Sequence, residues 1–191
     1  MILWDRLPDQ VVTHWDANGT PNGWSSKVFA VFGLPLSLLA LHWICTTVTS
    51  ADPKIKTLNK KLVTIILWIC PLISLFSAIT TYAEALDLNL QINLLVTIFV
   101  GTVFVIIGNY LPKCEQNYTV GIKLPWTLNS KENWNRTHRI AGPVWVVCGV
   151  LMILSIFMDS KVVIILILVL TAVLIPTLYS YLYYKKQEQK Q

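Results

Sequence analysis

Five apolar stretches constrain this chain more than any other feature of its sequence. They cover residues 28–49, 62–82, 92–111, 140–158 and 162–182, and charged side chains are almost absent from them. A helix rises 1.5 Å per residue, so about 20 apolar residues cross a hydrocarbon layer of about 30 Å. Composition agrees with that reading. Charged residues make up 13% of the chain, about half the roughly 25% of a soluble domain. The mean hydropathy of +0.58 is likewise lodged in the same five windows. The fold expected is all-α: a polytopic membrane helical bundle of five spans, with a short extracellular N-terminal loop or hairpin and a long structured cytoplasmic loop.

Orientation follows from the basic residues, because Lys and Arg beside the spans are retained on the cytoplasmic side. Lys54, Lys56, Lys60 and Lys61 lie between spans one and two. Lys113, Lys123, Lys131, Arg136 and Arg139 lie between spans three and four, and Lys185, Lys186 and Lys190 in the tail. Only Arg6, Lys27 and Lys161 fall on the other side. The amino terminus is therefore expected outside and the carboxyl terminus in the cytoplasm. The last two spans are joined by Asp159, Ser160 and Lys161 alone, which requires an antiparallel return. The organisation expected is an extracellular segment 1–27, three spans within 28–111, a cytoplasmic loop 112–139, a transmembrane hairpin 140–184 and a cytoplasmic tail 185–191. No signal peptide delivers an outside amino terminus. Met1, Ile2, Leu3 and Trp4 read instead as the stub of an earlier span, so a full-length homologue is expected to carry one more helix there.

Several functions are disfavoured. The net charge of +5 suits nucleic acid only when the basic residues gather on one soluble face, and here they are dispersed over loops and tail. Cys45, Cys70, Cys114 and Cys148 form no C-x-x-C and pair with no His at metal-ligand spacing, so neither metal nor cofactor is expected. Catalytic motifs such as G-x-S-x-G, H-E-x-x-H and phosphate-binding loops are absent from the sequence, and no enzyme is expected. His42 is the clearly intramembrane ionisable side chain, which makes it a functional candidate. With no acidic partner at its depth it lacks a proton relay.

Two polar segments are too elaborate to be connectors. In the outer one, Val11 and Thr13 alternate with Val12 and His14, as in an extended strand, and Asn18-Gly19 signals a tight turn. Its tryptophans, Trp15 and Trp24, have two readings, anchors at the headgroup layer or a docking surface. His14 has no visible partners as a metal ligand.

The inner segment, 108–142, is longer than bundle connections usually are. It carries Tyr110, Tyr118, Trp126 and Trp134, whereas disordered segments are poor in aromatics. Pro112 and Pro125 interrupt helices, Gly121 permits a backbone turn, and Ser130 is placed to cap a helix with Glu132 in its first turn. Trp134, His138, Ala141 and Trp145 then recur at helical spacing. The plainer reading makes Trp134, Arg136 and Arg139 an interfacial collar, with the two arginines keeping His138 neutral. Tyr179, Tyr181, Tyr183 and Tyr184 followed by Lys185 and Lys186 read as a second anchor.

The inner segment as a whole resembles the SdpI family of bacterial immunity proteins. The motifs are Gly108-Asn109-Tyr110-Leu111-Pro112, then Asn117-Tyr118-x-x-Gly121-Ile122-Lys123-x-Pro125-Trp126-Thr127-Leu128, then Trp134-x-x-Thr137-His138-Arg139-x-x-Gly142. The outer segment, from Leu7-Pro8 through Thr13-His14-Trp15 and Asn18-Gly19 to Gly23-Trp24, looks like the small domain that precedes it in that family. Members have six helices with both ends inside. The resemblance implies protection of a bacterial cell against a secreted antimicrobial peptide, with His14, Trp15, Asn18 and Trp24 as candidate toxin contacts. It also implies a signalling role, in which a cytosolic transcriptional repressor is held at the membrane. The rival classes are a small transporter or export factor for a peptide or lipid, with His42 and His138 along its path, and a membrane enzyme using His138. Membrane lipid is a partner in any of these.

Overall fold

The computed structural model describes residues 3–55, 58–158 and 161–189. Met1, Ile2, Lys56, Asp159, Ser160 and Lys190 of the readings above lie outside the described residues. The chain divides into two compact units, Met1–Thr47 with Thr64–Leu95, and Val48–Val63 with Val96–Gln191.

The first unit opens with a hairpin of β1 (Gln10–Trp15) and β2 (Pro21–Ser26). The strands are antiparallel, pairing Val11 with Ser25, His14 with Gly23 and Trp15 with Pro21. The Asn18-Gly19 signal is realised in a five-residue loop rather than a two-residue turn, since Trp15 and Pro21 are the last pair. Asp16 organises it: Oδ1 accepts from the backbone N–H of Asn18 at 2.8 Å and of Thr20 at 2.9 Å. Gly19 takes φ +84°, which the missing Cβ permits. The Asn18 carbonyl accepts from Asn93 Nδ2 at 2.9 Å, which ties the loop to the first turn of the helix that begins at Ile92. Val11 is buried beneath the hairpin.

Among the described residues five helices are long and apolar enough to cross a membrane, and the chain is a multi-pass membrane protein. They are α1 (Leu34–Ser50), preceded by a wider turn at Phe29–Gly33, α2 (Lys60–Ala85), α3 (Ile92–Tyr110), α5 (Lys131–Leu154) and α6 (Lys161–Glu188); the short α4 (Pro125–Asn129) lies between α3 and α5. Large apolar side chains stay on their outer faces, Trp43 and Leu182 among the most exposed. In water such faces would aggregate, whereas lipid solvates them. The fourth spanning helix starts at Lys131, well ahead of the apolar window at Ile140. Ser130 caps it, accepting from the Asn133 N–H, so helix begins before hydrophobicity does.

In the second unit, α3 and α5 meet through two pairs of glycines. A Cβ on Gly101 would sit 2.8 Å from the Gly149 carbonyl oxygen, and one on Gly108 would sit 2.9 Å from that of Gly142. The pairs run antiparallel and are seven residues apart on each helix. Between them the rings of Phe104 and Trp145 stack at 4.6 Å. Close backbone approach of this kind is a main source of helix association in lipid, where burying apolar side chains gains little.

Candidate functional site

The polar segment that enters α5 folds as a knot around three side chains. The first is Asn117, fully buried. Its Oδ1 accepts from the backbone N–H of Thr119 at 2.9 Å and of Val120 at 2.6 Å. Its Nδ2 donates to the carbonyls of Glu115 at 2.8 Å and Val120 at 3.0 Å. One amide thus satisfies backbone groups on both arms of a turn, as a buried Asn must to offset its own desolvation.

Trp134 and His138 are the other two, one helical turn apart on α5. Trp134 is fully buried, and its indole Nε1 donates to the Cys114 carbonyl at 2.7 Å. The imidazole stacks on the indole at 4.2 Å. His138 Nε2 accepts from the Ile122 N–H at 2.9 Å, so that nitrogen keeps its lone pair. His138 Nδ1 therefore carries the proton and donates to the Trp134 carbonyl, 2.9 Å away. The ring is neutral because it is buried and because the Ile122 N–H occupies the nitrogen that a second proton would need. Arg136 and Arg139, expected to keep it so, are exposed on other faces of the helix. Gly121 closes over the ring with φ +107°, and a Cβ there would lie 2.5 Å from His138 Nε2 and 3.0 Å from the indole.

Thr127 anchors the next stretch: its hydroxyl accepts from the Leu124 N–H at 2.8 Å and donates to the Ile122 carbonyl at 2.8 Å. Pro125 opens α4, where its missing N–H costs nothing. Trp126 on the same helix packs against Tyr181 and Tyr184 of α6, with centroids 5.4 Å and 5.9 Å away. Its indole N–H is buried without a partner among the described residues. Two of the carboxyl-terminal tyrosines expected as an anchor thus pack on α4. Further along, Asn133 joins α5 to α6. Its Nδ2 donates to the Ser180 carbonyl at 3.0 Å, while its Oδ1 accepts from the hydroxyls of Thr137 at 3.0 Å and Ser180 at 2.8 Å, all buried.

The loop between α1 and α2 reaches the knot through Asp52. This buried carboxylate accepts at Oδ2 from the Tyr118 N–H and the Thr119 hydroxyl, both at 2.9 Å, and at Oδ1 from the Lys54 N–H at 2.8 Å. Burial alone would raise its pKa; the donated hydrogen bonds outweigh that and hold it below the usual carboxylate value. Lys54 Nζ adds a bond of 3.3 Å to Gln116 Oε1 and lies over the Tyr118 ring at 5.0 Å. Gln116 Nε2 in turn donates to the carbonyls of Thr127 and Leu128 at 2.9 Å and 2.8 Å. Burial pushes the Cys114 thiol up to about 11 despite the bond from Asn117, and the Glu115 charge adds to the rise, so it stays protonated at neutral pH.

Of the residues singled out in the sequence, Asn117, Tyr118, Gly121, Lys123, Thr127, Trp134 and His138 come together here. Lys123 Nζ donates to the Tyr118 and Thr119 carbonyls at 3.3 Å and 2.9 Å. Thr137 belongs to the Asn133–Ser180 contact, and Pro125 and Trp126 to the α4–α6 contact. Asn109 and Arg139 are exposed outside the knot. Trp134 is a core residue rather than part of a collar. In the hairpin, His14 Nδ1 lies 2.6 Å from Asn22 Oδ1, Trp15 buries its Nε1 without a partner among the described residues, and Trp24 is 56% exposed. Asp52, Gln116, Asn133 and Ser180 were missed. Asp52 left a trace, since no other acid lies between Asp16 and Glu84 and lysines surround it. Ser180 left none. Among the described residues no group of three or more His, Cys, Asp or Glu could hold a metal ion.

Comparison with known proteins bears on these same residues. The model of the SdpI/YfhL protein family matches residues 113–180, and that of a domain of unknown function, DUF1648, matches residues 1–39. The chain is 32% identical over 192 residues to the Immunity protein SdpI of Bacillus subtilis (strain 168), covering 97% of this chain and 89% of that protein. The chain belongs to the SdpI family. The segment matched by the SdpI family model holds the whole knot and ends at Ser180, the partner of Asn133, whereas Asp52 and Lys54 lie outside it. No solved structure matches this SdpI family member.

Proposed function

We propose that this chain is a membrane immunity protein that protects a bacterial cell against a secreted antimicrobial peptide, without turnover of the peptide. The likeness to the Bacillus subtilis Immunity protein SdpI, over 97% of the chain, carries this reading. The hairpin, outside by the distribution of basic residues, meets the peptide through His14, Trp15, Asn18 and Trp24. Of these Trp24 offers the largest free apolar surface. The segment 112–139 faces the cytoplasm, and its exposed Tyr118 beside Lys54 and Lys123 suits a cytosolic transcriptional repressor as a second partner. Coupling the two partners requires two states of the chain that differ in affinity for each. Both ring nitrogens of His138 are committed, Nε2 to the loop and Nδ1 to the Trp134 carbonyl of its own helix, which argues against its use as a proton relay or catalytic base.

Survival tests the proposal. A sensitive Gram-positive strain lacking its own immunity protein is made to express the chain and challenged with a panel of secreted antimicrobial peptides. Protection against at least one, lost in Trp24→Ala at unchanged membrane level, is the expected result. Absence of protection against every peptide, with insertion verified, overturns the reading. So does recovery of cleaved peptide from protected cells.

A further inference from the structure

An open groove of about 800 Å³ runs along α5 from Glu132 to Val144 and is walled by Tyr179 of α6. Twelve helical steps of 1.5 Å make it about 18 Å long. Its two ends differ in chemistry: Arg136 and Arg139 line one, and Ile140, Pro143 and Val144 line the other. The change falls at residue 140, where the charged residues of α5 stop and its apolar run begins.

The mouth is positive. Glu132 is its acidic member, and that carboxylate is already engaged by Arg136 Nε at 3.0 Å and by Gln187 Nε2 at 3.5 Å. Arg139 is exposed and makes no hydrogen bond or ion pair among the described residues. Lys186 lines an adjoining hollow that shares Arg136 and Tyr179 with the groove. A cationic mouth above an apolar floor, at the level where a spanning helix leaves the polar layer, complements an anionic amphiphile. A guanidinium fork matches two oxygens of a phosphodiester, and basic hollows between spanning helices favour acidic lipid.

We propose that this groove holds an anionic phospholipid, its phosphodiester on Arg139 with Arg136 as second donor, and its acyl chains over Ile140, Pro143 and Val144. This inference rests on the membrane-spanning helices and not on the immunity reading.

The test uses the purified full chain, stripped of lipid in mild detergent and titrated by native mass spectrometry. The probes are phosphatidylglycerol and phosphatidylcholine of matched chain length. Phosphatidylglycerol adducts are expected at about tenfold lower concentration, and Arg139→Gln removes that preference. Lys131→Gln, an exposed lysine outside the groove, is expected to keep it. Equal binding of the two lipids, or a preference that survives Arg139→Gln, overturns the proposal. Displacement of phosphatidylglycerol by equimolar inorganic phosphate would make the site one for free phosphate and also overturns it.

Discussion

The backbone N–H of Ile122 is donated to Nε2 of His138 across 2.9 Å, and this bond makes a loop and a membrane-length helix into one object. An imidazole that accepts here must be neutral. The loop is therefore secured by the same proton that the ring keeps on its other nitrogen.

Truncating the ring separates the two. His138→Ala leaves the part-buried Ile122 N–H without its acceptor and removes the stack on the indole. A loss of about 1–3 kcal/mol is expected, read as a lower midpoint of thermal unfolding in detergent. An unchanged midpoint would mean that solvent already reaches the loop.

Gly121→Ala attacks the contact from the other side. The φ of +107° is a conformation that side chains resist, at a cost of about 1–3 kcal/mol, and the new methyl would press on Nε2 as well. The expected outcome is destabilisation at least as large as that of His138→Ala. Faster proteolysis confined to residues 114–124 would confirm where it acts.

The bond between Asp52 and the Tyr118 N–H should depend on acid. The folded carboxyl has a depressed pKa, so its contribution is fully present above the unfolded value of about 4 and is lost as pH falls through the lower folded value. Hydrogen exchange at the Tyr118 amide is expected to be slow at neutral pH and to quicken only in strong acid. In Asp52→Asn it should be fast throughout, after correction for intrinsic rates.

Cys114 gives a chemical readout of the same packing. With its thiol pushed up to about 11 and its side chain buried, a maleimide at neutral pH should label it only once the protein is denatured. Asn117→Ala, by unfastening the turn that covers it, should make labelling fast under native conditions. Rapid labelling of the wild-type chain would contradict the closed knot.

Much of this architecture was legible in the sequence, and the parts that were not share a physical cause. Spans declare themselves through long apolar runs, the Ser130 cap through its residue type and place, and the hairpin through alternation around a turn signal. Each of these is a local property. The knot is not local. Asp52 meets Tyr118 and Thr119 across more than sixty residues, and Ser180 meets Asn133 across 47. Trp134 illustrates the ambiguity: beside two arginines at a membrane boundary it has the pattern of an interfacial anchor. Only the carbonyl of Cys114 arriving at its indole makes it a core residue. The start of α5 is local in the same way, but the partners of its polar first turns lie on other segments and leave no local trace.

The twin glycine contacts fix how the second unit is able to respond to anything that binds it. Each contact fits one register alone, and both would fail together if α3 slid or rolled on α5 by a single residue. Phe104 and Trp145 stack between them. Where they meet, the two backbones leave no room for a side chain, and a displacement carried through them is expected to tilt the pair rather than shift one helix against the other.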